Sequence, residues 1–342
     1  MFLRHIRHFR CMLSIVATAL SLGASITFAA GQDGPPPTDG EPLVVKVNVV
    51  VLDVDAIDDA DQSFKASTYY QLSWRDPRLA TTEDQPLPPE IKIWRPQVGI
   101  VNAQSSWTVM PEDITVTRDG TVYMQRHIWA SFSQPLDLRK FPFDRQDFTI
   151  RLISSVEPDK LVFIQDPNNM SKIADNLSVP DWQVVAEEAS GDVYDFAEGA
   201  VLVPSFAFTF TAERLSQYYV LTMILPLVVI VSMSFVTFWI SESGYPARIG
   251  TASTAMLTII TYRAAAVHVL PRTNYFTDLD IFIAGCTVLV FSALIVVAVA
   301  IFFERTGQED KARLIDRRTR YIFPLAFLAI LGFTFLGPQS SG

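Results

Sequence analysis

The chain has 342 residues, of which 49% are hydrophobic, so it can bury a substantial core. Its formal net charge of −9 argues against a nucleic acid partner. With only Cys11 and Cys286 there is no disulfide framework.

The charge is unevenly spread. From Gly31 to Leu215 there are 15 Lys and Arg against 29 Asp and Glu, a net of −14, and beyond Ser216 nearly everything is apolar. This predicts an acidic soluble domain followed by a membrane domain. Residues 1–30 read as a secretory signal: Arg4, Arg7 and Arg10, then the apolar run Met12 to Phe28, then Ala29-Ala30-Gly31 as a cleavage site. Residues 31–42, rich in Gly, Pro and Asp, read as a disordered leader.

From Leu43 the pattern is β. VVKVNVVVLDVDAI and FKASTYYQLSW alternate around the turn Asp58-Asp59-Ala60-Asp61. IWRPQV, SSWTVM, ITVTRDGTVYMQRHIWASF, DFTIRLI, WQVVAEEA and VLVPSFAFTFTAE follow. Gly120 in Arg118-Asp119-Gly120-Thr121 readily supplies the positive φ of a hairpin turn. Some ten short strands in residues 43–215 predict a β-sandwich. No catalytic constellation stands out. His127 is the domain's only histidine and reads as structural, calcium-ligand spacing is lacking, and neither an enzyme activity nor a cofactor is expected.

Residues 216–337 carry four hydrophobic stretches, about 218–240, 247–270, 279–303 and 321–336. Pro226 is expected to free a carbonyl and bend the first. The link between the third and fourth holds Arg305, Lys311, Arg313, Arg317, Arg318 and Arg320, which the positive-inside rule puts in the cytoplasm. The second stretch, Tyr245 to Arg272, differs from a lipid-facing helix. One face reads Gly250, Thr254, Leu257, Thr261, Ala264, His268. Such a small-and-hydroxyl stripe suits either a water-facing wall or a tight helix seam. A membrane-anchored binding receptor that signals without conducting is the reading from another class.

The chain resembles the pentameric ligand-gated ion channels of the Cys-loop superfamily, in their prokaryotic form. Pro135-Leu136-Asp137-Leu138-Arg139-Lys140-Phe141-Pro142-Phe143-Asp144 matches the family's signature loop, with Gln134 and Phe148 where animal members have cysteines. Trp94-Arg95-Pro96, Ser73-Trp74-Arg75-Asp76 and Arg214 twelve residues before Pro226 also match.

The resemblance implies a ring of five identical subunits, each an extracellular β-sandwich followed by four transmembrane helices, in a bacterial plasma membrane. The stripe would line the pore, with Leu257 as an apolar gate. Pro246-Ala247-Arg248 resembles the pore-mouth motif of glycine and GABA receptors, and the spacing from Trp239 matches their longer loop. That implies chloride as the permeant ion, with helix N-termini and Arg248 adding positive potential. A cation-conducting or proton-gated member is the alternative. Asp58, Asp59, Asp144 and Arg214, with Pro271 and Arg272, are expected to couple the two domains. Tyr69, Gln125, Tyr194 and Phe196 are the candidates for a site between subunits that takes a small molecule, unless protons are the agonist. Amine-binding bacterial relatives carry Glu where this chain has Gly99 and Ile153, which speaks against an amine. Arg263, off the stripe, is expected to face a water-filled gap between subunits or the outer mouth.

Overall fold

The computed structural model describes residues 34–80, 93–196, 199, 201–240, 245–267 and 273–336. The signal segment with Cys11, and His268, Pro271 and Arg272 from the site candidates, lie outside the described residues.

Among the described residues, ten strands form two sheets. The first runs in the order β4 (Ala103–Val116), β5 (Thr121–Ser133), β2 (Ser63–Arg75), β1 (Leu43–Asp58), β7 (Leu161–Gln165), with β8 (Lys172–Ile173) also pairing β1. The second runs β3 (Val98–Ile100), β6 (Arg145–Ser154), β10 (Leu202–Arg214), β9 (Trp182–Asp195). Strands β7 and β8 pair with β1 in parallel and carry too few residues for an alternation to show in the sequence.

Several strands are longer than expected. β1 has 16 residues, and β4 runs through Pro111, which reads as a break in the sequence. β4 lies at a sheet edge and its register slips between Met110 and Asp113, so Pro111 leaves no ladder partner without its N–H.

Period-two alternation delivers the core. Val45, Val47, Val49 and Val51 are fully buried, as are Phe206 and Phe208 on the other sheet. The Phe64 ring lies 4.9 Å from Phe132, 5.3 Å from Phe148 and 5.8 Å from Phe210. Each such buried ring contributes about 2–3 kcal/mol. The 117–121 hairpin docks on the end of β2, where the Asp76 N–H donates to the Gly120 carbonyl at 2.8 Å. Gly120 has φ +82°, and a Cβ there would fall 2.4 Å from the Asp76 carbonyl oxygen. Hydrogen bonds from Thr117 and Thr121 draw the neighbouring Asp119 carboxyl down to about 2.

Among the described residues four long helices follow: α1 (Gln217–Val236), α2 (Tyr245–Ala266), α3 (Asp278–Arg305) and α4 (Glu309–Leu336). Three of them, α1, α3 and α4, are long and apolar enough to cross a membrane. At 22 residues α2 is long enough too, about 33 Å, but carries too many small and hydroxyl residues to join them by hydropathy. Helix α3 starts at a capping box in which Thr277 and Asp280 exchange hydrogen bonds. Helix α4 begins twelve residues before the expected 321, so most of the basic link rides on its first turns.

Pro226 acts through a wide turn. The segment Val220–Ile224 is π-helical, and the Leu225 N–H donates to the Val220 carbonyl. A proline lacks the N–H that would satisfy a carbonyl one turn earlier, and the widened turn re-routes those bonds. One carbonyl of this turn, that of Met223, accepts from the Tyr262 hydroxyl of α2 at 2.8 Å.

Candidate pore and domain junction

Helix α2 has two faces that answer different demands. Arg248, Ala252, Ala255, Ile259 and Ala266 are buried against the other helices of the chain. Gly250, Thr254, Leu257, Thr261 and Ala264 are exposed, with Leu257 66% accessible. At ~100° per residue the two sets centre roughly 170° apart. The hydroxyl stripe is therefore not the seam within the chain; alanines on the opposite face make that seam. The Thr254 and Leu257 carbonyls accept from the hydroxyls of Thr258 and Thr261 at 2.8 and 3.0 Å, which settles those hydroxyl donors on the helix itself.

At the start of α2, Pro246 and Ala247 are exposed, but Arg248 is not. Its side chain is 0% accessible. It donates from Nη2 to Asp316 at 2.5 Å and from Nη1 to Glu304 at 3.3 Å. The side chain turns to the packed face and joins α2 to α3 and α4. Its two partners lie 56 and 68 residues away, so no local spacing in the sequence signals the pair.

The junction between the domains is built around Arg214, the last residue of β10. Its Nε donates to Asp144 at 2.7 Å and its Nη2 to Asp59 at 2.9 Å and Asp144 at 3.2 Å. Trp182, Phe141 and Tyr219 surround the guanidinium at 4.3, 4.9 and 5.8 Å from their ring centres. Burial works against the charge, but the hydrogen bonds and attraction of Asp144 and Asp59 outweigh it and raise the Arg214 pKa. Burial also raises the Asp59 pKa, and Arg214 only partly opposes it.

Asp58 is not drawn into this cluster; its carboxylate accepts from the Ala60 and Asp61 N–H groups and shapes the turn. Tyr275 carries no local signal in the sequence. Its hydroxyl accepts from the Leu138 N–H at 2.9 Å and donates to the Leu136 carbonyl at 3.2 Å, pinning the signature loop above α3. Arg139 lies over the same ring at 5.3 Å, and its carbonyl accepts from the Asp278 N–H. Arg263 is exposed and borders a cavity of about 450 Å³ shared with Ala266, Phe276, Asp280 and Gly285.

The neurotransmitter-gated ion-channel ligand binding domain matches residues 32–198, and the neurotransmitter-gated ion-channel transmembrane region matches residues 223–313. A proton-gated ion channel of Gloeobacter violaceus is 30% identical over 320 residues, covering 90% of this chain and 88% of that protein. The chain belongs to the neurotransmitter-gated, or Cys-loop, ion-channel family. The gamma-aminobutyric acid receptor subunit beta-4 of Gallus gallus is 28% identical over 290 residues, 81% of this chain and 59% of that longer protein.

As a Cys-loop channel without the loop cysteines, the chain closes its signature loop by other means. The Gln146 amide accepts from the Asp137 N–H at 3.0 Å and donates to the Asp137 carbonyl at 2.7 Å and to Asp144 at 2.8 Å. The agonist-site candidates fall on different sheets. Tyr69 and Gln125 lie half-buried on β2 and β5. Burial and Asp113 raise the Tyr69 phenol. Tyr194 is the last residue but one of β9, with Phe196 just beyond the strand at 5.8 Å edge-on. Arg151 covers the Tyr194 ring at 5.2 Å while pairing with Asp192 at 3.0 Å. Gly99 and Ile153 are register partners of β3 and β6. His127 is tied to Ser67 at 2.9 Å across β2 and β5, a structural contact. Among the described residues, no group of His, Cys, Asp or Glu side chains has the makings of a metal site.

Proposed function

We propose that five copies of the chain form a ligand-gated channel in a bacterial plasma membrane, with the sandwich outside, α2 around the pore and chloride as the permeant ion. The observation that carries the pore reading is the open hydroxyl stripe of α2 lying opposite its packed alanine face. A non-conducting receptor has no use for such a wall. The ring of Thr254 hydroxyls partly replaces ion hydration, and the Leu257 ring closes the path by dewetting.

Anion preference draws on the mouth of α2. Pro246 and Ala247 bring no negative charge, the helix N-terminus brings partial positive charge, and the two described carboxylates nearest Arg248 are engaged by it. Opening is driven through Asp59, Arg214 and Asp144, with Tyr194 and Phe196 of one subunit facing Tyr69 and Gln125 of the next. A second reading, gating by protons, is favoured by one specific observation: Asp59, raised by burial, lies in the junction itself, and a relative carries the name proton-gated ion channel.

The test is current recording from reconstituted liposomes under a NaCl dilution gradient, with pH steps and a panel of small molecules. A reversal potential that follows chloride supports the reading. One that follows sodium overturns the ion assignment, and absence of current under every stimulus overturns the channel reading. Leu257→Ser is expected to leave current in the absence of stimulus, because a hydroxyl ring no longer repels water.

A further inference from the structure

We propose that Arg151 is a built-in occupant of the agonist site: its guanidinium holds the place that an amine would take, and removing it turns the site into a receptor for small organic cations. The proposal rests on the reading of Tyr194 and Phe196 as part of that site and deepens it.

A site for an ammonium ion combines an aromatic face, a carboxylate and a further polar acceptor. The solvent side of the second sheet has all three, and one side chain already uses them. The Arg151 guanidinium lies 5.2 Å from the centre of the Tyr194 ring, within the range of a cation–π contact. Its Nη1 donates to both carboxylate oxygens of Asp192 at 3.0 Å and to the Ser205 hydroxyl oxygen at 3.0 Å. The Ser205 hydroxyl in turn donates to Asp192. Arg151 is 24% accessible and Asp192 45%, so the pair is open to a ligand arriving from solvent.

The arrangement differs from an ordinary tie between strands in two ways. On the ladder Arg151 stands opposite Ala207 of β10, and Ala207 opposite Ser190 of β9, whereas Asp192 and Tyr194 belong to the next two rows of that face. The side chain therefore leans along the sheet towards the end of β9 to reach them. A clasp made for strength also engages a carboxylate through two nitrogens of the planar fork. Arg151 uses one nitrogen for both oxygens, and among the described residues nothing hydrogen-bonds its Nε or Nη2. An amine from solution has to displace this tethered cation, which gives up no translational freedom in binding and so wins the ring face.

Arg151→Ala vacates the ring, the carboxylate and the hydroxyl together. Propylammonium is expected to bind this variant at least about tenfold more tightly than the parent, the combined scale of one cation–π contact and one charge-assisted hydrogen bond at a half-exposed site. Two double variants, Arg151→Ala/Asp192→Asn and Arg151→Ala/Tyr194→Leu, are each expected to lose most of that gain.

The measurement is a ligand-observed NMR titration of each full-length channel in detergent with propylammonium, and with propionate as the probe of opposite charge, beside current recording in liposomes. A gain in propylammonium binding that needs both Asp192 and Tyr194 supports the proposal. No gain in Arg151→Ala overturns it. A full gain in the Tyr194→Leu double variant also overturns it, because bare charge and not the vacated face would then draw the cation. Propionate binding to the parent that is lost in Arg151→Ala overturns it as well, since Arg151 would be a ligand contact and not an occupant. Should Arg151→Ala fail to assemble, Arg151→Gln decides by the same criteria. Propylammonium binding to the variant without any evoked current would uphold the occupancy and count against Tyr194 and Phe196 as the agonist site, so the two failures are separable.

Discussion

Arg214 at the domain junction and Arg248 at the far end of the helices each sit between two acidic side chains, but their surroundings differ. Arg214 is enclosed by three aromatic rings and engages Asp144 through two nitrogens, Asp59 through one of them, and the Tyr219 hydroxyl at 3.5 Å through the third. Arg248 leaves its Nε unmatched. A guanidinium fixed on every side holds geometry, which suits a part that relays movement between two domains. Arg248, bonded less completely between Glu304 and Asp316, serves to join three helices. Neutralising each trio separates these roles.

The largest effect is expected at the junction. Arg214→Ala strands Asp144, which is 1% accessible, and costs about 3–5 kcal/mol of stability together with every stimulus-evoked current. Surface labelling beside current recording checks it, and unaltered responses would exclude a coupling role. Arg214→Lys keeps the charge but loses the planar fork, so assembly is expected to survive while gating fails.

At the other trio, Arg248→Met alone is expected to cost a similar amount, and Arg248→Met with Glu304→Gln and Asp316→Asn to recover most of it. Thermal unfolding of the detergent-solubilised channel reads this. The same neutralisation at the junction, Arg214→Gln with Asp59→Asn and Asp144→Asn, is expected to restore stability without restoring gating. If gating returned there, the fixed geometry of Arg214 would be irrelevant and the contrast between the two arginines would collapse.

One arginine's partners are legible in the sequence and the other's are not. Asp59, Asp144 and Arg214 come with a ten-residue signature loop and a fixed offset to Pro226, so resemblance carried them to one place, and the structure brings them together. Arg248 came with a three-residue motif that marks a position along the helix but not a direction. Helical period decides direction: two residues from Gly250 is more than half a turn, which puts Arg248 opposite the stripe. Its partners on α3 and α4 leave no such signal, because nothing local ties residue 248 to residue 316. The strands were legible through alternation, and the hydroxyl stripe through its spacing. The parallel β7 and β8, the through-running Pro111 and the Tyr275 anchor depend on long-range pairing that no window of sequence contains.

A smaller effect is expected at Tyr275, which touches the same signature loop from the helix side. Tyr275→Phe keeps the ring under Arg139 and removes only the hydroxyl's two backbone bonds. Losing them costs about 1 kcal/mol, roughly a fivefold shift in the stimulus needed for half-activation, with ion preference unchanged. A changed ion preference in this variant would mean that the junction and the pore mouth are not separable as argued.

The smallest effect tests the weaker arm of the junction. Burial raises the Asp59 pKa above its ordinary value of 3.8, against the pull of Arg214. The folded chain therefore binds this proton more tightly than the unfolded chain does. The stability that follows is fully present below 3.8 and is lost as pH rises through the folded value. Asp59→Asn removes the titrating group, so the decline in stability just above the ordinary carboxylate range should flatten, as read from denaturation midpoints taken in steps from about pH 4 to about pH 7. An unchanged slope would place the pH dependence on other groups. Because Arg214 keeps its charge throughout and Asp144 keeps two of its hydrogen bonds, protonating Asp59 loosens one arm of the junction without dismantling it. A junction gated by protons needs that partial release, and a channel gated only by a small molecule does not. An acid-evoked current that disappears in Asp59→Asn would therefore favour protons as the stimulus, whereas an unchanged acid response would leave Asp59 as an adjustable support beside the fixed pair of Arg214 and Asp144.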